Sequence, residues 1–98
     1  MPEFYLSAEA QEDLILILIA DYGDATYGVE RSDAYRRKLE KHLLDLAGFP
    51  LHYQAVNHIR KGFRRSIQGV HTIYYRVDGE DITIIRILGR QDPFRELN

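Results

Sequence analysis

The residues best suited to chemistry lie in the second half of the chain. His71 is the strongest single candidate for acid–base catalysis, because an imidazole changes charge near neutral pH. Residues 46–77 contain no Asp or Glu, and their basic side chains are Arg60, Lys61, Arg64, Arg65 and Arg76. Such side chains could hold the phosphates of a nucleic acid or the acids of a partner protein. The C-terminal segment, from Gly89 onward, adds no nucleophile, paired carboxylate or metal-ligand cluster. The sequence therefore favours a protein that acts by binding another macromolecule over one that catalyses a reaction.

Each of these candidates also has a structural interpretation. His71 shares one side of a strand pattern with apolar residues, which favours a hydrogen-bonded core histidine over a catalytic one. Tyr74 and Tyr75 could stack on bases, but aromatic residues in strands usually serve packing. The remaining histidines lack metal-ligand spacing, so neither a metal site nor a cofactor is expected. They are His42, His52 and His58.

Charge is divided unevenly along the chain. Residues 1–50 hold ten acidic and five basic side chains, whereas residues 51–98 hold five acidic and eight basic ones. This asymmetry indicates that the C-terminal half meets something anionic. A solvated loop that offsets acidic helices is an equally good explanation. Because the net charge is −2 and aromatic residues do not interleave with the basic ones, independent nucleic-acid binding is not expected.

Length and composition predict a single domain that spans residues 1–98. The chain has no cysteine, which excludes disulfides and thiolate metal sites and fits a reducing compartment. Its longest apolar run, residues 14–20, is far shorter than the ~20 residues of a membrane-spanning helix. The N-terminus also lacks the plan of a signal peptide. We therefore expect a cytoplasmic protein without a membrane partner.

The N-terminal half predicts a short strand followed by a helix. Residues 3–6 suit an edge strand, and Ser7 is a good N-cap for a helix with acidic first turns. This helix carries the apolar run 14–20 and ends before Gly23. Because it is apolar on more than one face, a sheet can cover one side, and a second helix or a partner protein must cover another.

A second helix is predicted from Tyr27 or Gly28 to Ala47, with Gly48 and Pro50 as its end. Its apolar stripe has the spacing of one buried helix face. The residues of the stripe are Ser32, Tyr35, Leu39, Leu43 and Leu46. Only a few residues join the two helices, which predicts an antiparallel hairpin.

The C-terminal half predicts a three-stranded antiparallel meander. Residues 48–61 lack periodicity and are predicted to form a loop, and strands follow at 63–68, 70–77 and 82–88. The pair Asp78-Gly79 is a strong hairpin signal between the last two strands. The expected fold class is therefore α+β, with a helical hairpin packed on a twisted, mainly antiparallel sheet.

Alternation along the strands assigns their faces. In the second strand of the meander, the side expected to face the helices carries His71, Ile73, Tyr75 and Val77. In the last strand, Ile82, Ile84, Arg86 and Leu88 are expected to share one face, with Thr83, Ile85 and Ile87 on the other. Both faces of that strand are too apolar for either to be exposed to water. We therefore expect the sheet to be covered by its helices on one side and by a partner on the other.

Four short motifs occur in order along the chain. Residues 6–14 read LSAEAQEDL, residues 62–65 read GFRR, residues 69–77 read GVHTIYYRV, and residues 84–92 read IIRILGRQD. Each motif is weak singly, but in this order and spacing they resemble the ParE branch of the RelE/ParE toxin superfamily over essentially the whole chain. One departure is Gly89, where the family usually has a histidine.

The resemblance implies the toxin of a type II toxin–antitoxin pair. A ParD-like antitoxin would then wrap the sheet and helices, in agreement with the excess apolar surface. ParE-like members poison DNA gyrase, which is the implied target. RelE-like members instead cleave mRNA on the ribosome, and this ribosome-dependent endonuclease activity is the alternative.

The alternative requires catalytic residues that are missing from the matching positions of this chain. RelE-like nucleases use basic residues and often a Tyr or His to activate a ribose 2′-OH and stabilise the phosphate. The positions that resemble their Arg, Arg and Tyr carry Thr72, Gln91 and Leu97 here. A register shift of one residue could bring Arg90 or Arg95 into place. The gap favours the ParE-like interpretation, in which the chain has no catalytic residue.

The resemblance and the residue pattern together assign two contact surfaces. The first helix and the outer sheet face are expected to bind the antitoxin through Leu14, Leu18, Arg64, Arg65, Tyr74, Arg76 and Arg86. The target surface is expected to include Arg60, Lys61, Arg90, Gln91, Asp92 and Arg95. It centres on residues 89–98, which carry the basic residues Arg90 and Arg95 and for which the sequence predicts no defined structure. Growth arrest that survives truncation after Leu88, with the fold intact, would exclude that segment.

Overall fold

The structure, a computed structural model, describes residues 2–22 and 28–97, with side chains for 2–18 and 34–97. Its elements in chain order are β1 (Phe4–Leu6), α1 (Ala8–Tyr22), α2 (Gly28–Gly48), β2 (Gln54–Ala55), β3 (Phe63–Gln68), β4 (His71–Asp78), β5 (Asp81–Leu88) and α3 (Pro93–Glu96). The α+β class is confirmed. None of the helices in the described part of the chain is long and apolar enough to cross a membrane.

The strands form one five-stranded sheet in the order β1-β5-β4-β3-β2. The predicted meander of β3, β4 and β5 is antiparallel, and the hairpin at Gly79 has the positive φ of 64° that glycine accepts readily. β1 is an edge strand as predicted and runs parallel to β5, with Leu6 opposite Ile84. β2 was predicted as loop. It is only two exposed residues long, and it pairs with β3 at Arg64 and Arg65.

Ser7 begins α1 as predicted. Its Oγ accepts a hydrogen bond of 3.0 Å from the N–H of Ala10 and donates one of 2.7 Å to the carbonyl of Ile85. The hydroxyl therefore caps the helix and also fixes its first turn to β5. The predicted helix end at Gly23 and the connection to α2 lie outside the described residues.

α1 and α2 pack on one face of the sheet and form the first core. Leu39, Leu43 and Leu46 are almost fully buried there, and Tyr35 packs against them. The predicted stripe of α2 is confirmed at these positions, whereas the side chain of Ser32 is outside the described part. The sheet contributes Ile73, Tyr75, Ile82, Ile84 and Ile87.

The other face of the sheet carries a second core made by the chain itself. Its buried residues are Val56, Ile59, Phe63, Tyr74, Leu88 and Leu97. The expectation of an outer face left open for a partner is therefore wrong at this end, where residues 56–63 and the C-terminal segment cover it. Tyr74, assigned to that open face, is 3% exposed.

A register shift between Tyr74 and Tyr75 overturns the predicted faces of β5. Tyr74 pairs with Arg86 and Tyr75 with Ile84, so β5 has one extra residue at this point. Beyond it the alternation is reversed. Leu88, predicted to share a face with Ile84, lies in the second core, whereas Ile87 joins Ile84 in the first. Val77, predicted to face the helices, is largely outside both cores.

Candidate functional site

An exposed apolar surface lies on α1. The side chains of Ile15 and Leu16 are 56% and 64% exposed, although the helix packs on β5 and α2 through other residues. Leu14 and Ile17 are partly buried against the first core, and Leu18 is also partly buried. Because apolar residues occur around much of the helix circumference, the sheet and α2 cannot cover them all.

An open cavity of about 470 Å³ lies beside this surface. It is bordered by α1, α2, the start of β4 and the segment after β5. Its described lining is Asp13, Leu16, Ile17, Tyr35, Val70, His71, Ile87, Gly89 and Gln91. Leu16 thus belongs to both the exposed surface and the cavity, and Val70 adds a second exposed apolar side chain. A concave, mainly apolar site with a few polar groups is suited to hold side chains of another molecule.

The polar groups of the cavity are already engaged with one another. Tyr35 Oη and His71 Nδ1 share a hydrogen bond of 2.6 Å, and their rings meet edge to face. Gln91 Oε1 accepts the N–H of Gly89 at 2.7 Å. The predicted hydrogen bond of His71 is confirmed, although the ring lies at the cavity wall and not deep in the core. No Lys or Arg is among the described lining residues, so the cavity is poorly suited to a phosphate.

Two histidines connect α2 to the sheet. His42 Nε2 and Ser66 Oγ share a hydrogen bond of 2.7 Å, as Tyr35 and His71 do between α2 and the start of β4. Burial lowers the pKa of both histidines, and for His42 the charge of Asp45 offsets part of this effect. The neutral imidazoles are therefore favoured in the folded protein.

We expect stability to fall as the pH drops below about 6.5, the ordinary pKa of histidine in an unfolded chain. Below this pH the two histidines are protonated in the unfolded state, whereas in the folded state their lowered pKa values keep them largely neutral. Thermal unfolding of the wild type at pH 7.5 and 5.5 measures the loss. The double variant His42→Gln/His71→Gln should show a smaller loss, and the exposed His52→Gln should behave like the wild type. An equal loss in the double variant would contradict this prediction.

Asp13 and Arg86 form the best-buried ion pair in the described part. Arg86 Nε and Nη2 donate to the two carboxylate oxygens of Asp13 at 2.7 and 3.0 Å, and the N–H of Ile87 donates to Oδ2 at 3.0 Å. Arg86 Nη1 reaches Glu96 Oε2 at 3.1 Å. The hydrogen bonds that the guanidinium donates to Asp13 raise the pKa of Arg86 above its ordinary value. Arg86, predicted as an antitoxin contact, is thus occupied within the protein and its side chain is 17% exposed.

The other predicted antitoxin arginines lie away from the cavity lining. Arg64 Nη1 donates to the carbonyl of Tyr53 at 2.8 Å, and Arg65 Nε donates to Gln54 Oε1 at 3.1 Å. These two side chains hold β2 and the residue before it against β3. Arg76 is exposed beside the β4–β5 hairpin and pairs with Asp78 at 3.1 Å. The structure therefore does not gather the predicted antitoxin residues into one surface.

The predicted target surface is more ordered than the sequence suggests. Asp92 Oδ1 accepts the N–H of Phe94 at 3.0 Å and caps α3, while Leu97 is buried in the second core. Arg60 Nη1 donates to the carbonyl of Leu97 at 3.2 Å and stacks near Phe63. The expectation that residues 89–98 lack defined structure is wrong for the described part of that segment. Gln91 and Asp92 shape this segment, whereas Lys61, Arg90 and Arg95 are exposed.

Sequence reasoning missed several members of the cavity. Asp13 was explained as an acidic residue of the first helical turns, Tyr35 as part of a helix stripe, and Val70 as a strand residue. Their convergence depends on tertiary contacts. Only Asp13 could have been noticed as a candidate from the sequence, because this charged residue stands directly before a long apolar run. In the part of the chain that is described, no group of His, Asp and Glu could hold a metal ion.

The chain is similar in sequence to known toxins over most of its length. The sequence model of the family described as "ParE toxin of type II toxin-antitoxin system, parDE" matches residues 4–94. Toxin ParE1 of Caulobacter vibrioides is 35% identical over 88 residues, which cover 90% of this chain and 88% of that protein. Toxin ParE1 of Mycobacterium tuberculosis is 35% identical over 99 aligned positions, with 96% of both chains covered.

Solved structures support the same architecture. A chain from the chromosomal ParDE toxin–antitoxin system of P. aeruginosa superposes with a TM-score of 0.75 at 18% identity, covering 93% of this chain and 98% of that one. A conserved hypothetical protein of Helicobacter pylori has a TM-score of 0.54 at 18% identity, covering 92% and 96% of the two chains. At these identities the likeness concerns the fold alone.

Proposed function

Because the chain belongs to the ParE toxin family of type II toxin–antitoxin systems, we propose that it acts by direct contact. In this proposal it inhibits DNA gyrase in the bacterial cytoplasm and is neutralised by a ParD-like antitoxin. The observation that carries the proposal is the exposed apolar surface of α1 beside an open cavity. A helix that leaves Ile15 and Leu16 in water has a surface suited to a protein partner.

The antitoxin is proposed to bind at this surface and cavity. Leu16 borders both, so one partner segment could cover α1 and insert a side chain beside Val70. An amphipathic partner helix or an extended segment with apolar anchors suits such a groove. Leu14 and Leu18, predicted as contacts, lie on the same helix and remain part of the proposal. Arg64, Arg65 and Arg76 could meet acids of a longer partner segment that continues over β3 and β4.

The target is proposed to bind at the C-terminal segment. Arg90 and Arg95 are exposed on this segment, and Lys61 is exposed on residues 56–63, which the hydrogen bond from Arg60 to the Leu97 carbonyl attaches to the chain end. Exposed basic residues on a fixed backbone can meet the acids of a large enzyme without losing much flexibility on binding. This assignment agrees with the family likeness to gyrase inhibitors and requires no catalytic group.

The same structure gives less support to a nuclease function. Cleavage of RNA requires cations placed around the scissile phosphate. The cavity with the Tyr35–His71 pair carries the Asp13 carboxylate and no Lys or Arg in its described lining. Leu97, at the position that resembles the terminal tyrosine of RelE-like nucleases, is buried in the second core.

The proposal is tested with the purified chain and a ParD-like protein encoded by any short reading frame adjacent to its gene. Calorimetry should show a stable complex, and gyrase supercoiling should stop with the toxin alone and resume when the partner is added. Cleavage of ribosome-bound mRNA by the toxin, with supercoiling unaffected, would replace gyrase inhibition by the nuclease function. Failure to bind the partner would refute the antitoxin part.

A further inference from the structure

We propose that Arg86 is a positioning residue for the toxic segment and not a contact for the antitoxin. The proposal rests on the proposed function, which places target contacts on the segment after β5. In this view, Arg86 is required for growth arrest because it fixes α3, while antitoxin affinity does not depend on the Arg86–Glu96 pair.

The geometry of Arg86 supports a positioning role. Two of its nitrogens are held by the carboxylate of Asp13 on α1, which is itself fixed by the N–H of Ile87. The third nitrogen reaches Glu96, the last residue of α3. Since the Asp13 side chain is only 8% exposed, the guanidinium is held on a rigid base. An arginine fixed in this way can hold a third element in one place.

α3 needs such a support because it is very short. A helix of four residues cannot persist on its own hydrogen bonds. Its C-terminal side is attached through the burial of Leu97 and the hydrogen bond from Arg60 to the Leu97 carbonyl. Both of these contacts attach the chain end to the second core. The Arg86–Glu96 pair attaches α3 to β5 and, through Asp13, to α1.

The exposed basic residues of the proposed target surface depend on this attachment. Arg90 and Arg95 lie on a segment held at its start by the hydrogen bond between Gly89 and Gln91 and at its end by Glu96 and Leu97. If Glu96 is released, the segment samples more conformations before binding. Ordering it again then opposes association with the target.

The closing experiment compares Glu96→Gln with the matched control Glu80→Gln. Both substitutions remove one negative charge, but Glu80 lies on the β4–β5 hairpin, at the opposite end of the strands from the cavity. Hydrogen exchange reports on α3 through the amides of Arg95, Glu96 and Leu97, which donate to the carbonyls of Asp92 and Pro93. We expect Glu96→Gln to exchange about two- to five-fold faster there, the range for a partly exposed ion pair.

The functional measurements distinguish a failure of the positioning role of Arg86 from a failure of the proposed target surface. Growth arrest at matched toxin levels should weaken with Glu96→Gln, while the dissociation constant for the antitoxin stays within two-fold of the wild type. Unchanged exchange in α3, or an antitoxin affinity that falls together with growth arrest, would overturn the positioning role. Faster exchange with full growth arrest would instead show that the target binds elsewhere, so that the placement of the target surface fails and Arg86 has no toxic segment to position.

A variant of Arg86 adds an independent check. Arg86→Lys keeps the positive charge but cannot hold Asp13 with two nitrogens and reach Glu96 with a third. If Arg86 acts on α3 through Glu96, adding Glu96→Gln to Arg86→Lys should change α3 exchange by less than two-fold. Full additivity of the two substitutions would contradict the proposed connection.

Discussion

Replacing Asp13 by alanine is expected to lower the free energy of unfolding by about 3 kcal/mol. The substitution leaves the largely buried guanidinium of Arg86 without its main counter-charge and leaves the N–H of Ile87 without an acceptor. An unpaired charge and an unpaired backbone donor are both costly in a buried setting. For a domain of this size, the loss corresponds to a Tm lower by roughly 12–24 °C.

Urea denaturation, monitored by circular dichroism, measures this change in the free energy of unfolding. Glu12→Ala is the matched control, since Glu12 is the neighbouring acid on α1 and its side chain is exposed. The control should change stability by less than about 0.5 kcal/mol. If Asp13→Ala costs less than about 1 kcal/mol, the ion pair with Arg86 does not hold α1 to the sheet in solution.

The size of this expected effect reflects how α1 is attached. Beyond Leu6, β1 no longer covers β5, and polar groups take its place. Ser7 donates to the carbonyl of Ile85, and Asp13 accepts the N–H of Ile87. These side chains therefore continue the edge pairing of the sheet through the first turns of α1. Of the apolar side chains of α1, Leu14 and Ile17 pack against the first core, whereas Ile15 and Leu16 form the exposed surface.

The regular elements could be predicted because their signals are local. β3 has the predicted bounds, and β4 and β5 differ by one residue at their ends. Alternating apolar residues and the hairpin at Gly79 sufficed for the meander. Helix α2 was equally clear from the spacing of Leu39, Leu43 and Leu46.

The remaining features depend on contacts between distant residues. The shift between Tyr74 and Tyr75 has no signal in the alternation of either strand alone, yet it exchanges the faces of Ile87 and Leu88. Asp13 and Ile87 are 74 positions apart, so the partner of this carboxylate could not be read from its surroundings in sequence. The two-residue strand β2 has no apolar pattern of its own.

The candidate site was predictable only in part, for the same reason. The sequence indicated an excess of apolar residues on the first helix, and Ile15 and Leu16 are exposed there. It did not indicate that Leu97 would return to cover Tyr74, which closes much of the face that had been assigned to a partner. The open surface therefore remains on α1, as the sequence indicated, and continues into the adjoining cavity, whereas much of the outer sheet face is covered by the chain itself.

Replacing Leu16 by glutamate is expected to weaken antitoxin binding by about 2–4 kcal/mol, or roughly 30- to 1,000-fold in Kd. Leu16 is 64% exposed in the free chain and borders the cavity, so a partner that fills this site would bury it. A glutamate there would be buried against apolar groups and close to the Asp13 carboxylate, and the described lining of the cavity contains no Lys or Arg to pair with it. The fold should survive, because the side chain already lies in water.

Leu44→Glu is the matched control for this substitution. Leu44 is a leucine of α2 that is 56% exposed and does not border the cavity, so the same chemical change is made away from the proposed site. Calorimetric titration with the antitoxin and a thermal melt of each variant should give a large affinity loss for Leu16→Glu alone, at Tm values within about 3 °C of the wild type. Equal affinities for the two variants would place the antitoxin on another surface, because a glutamate in the middle of a buried apolar contact cannot be neutral.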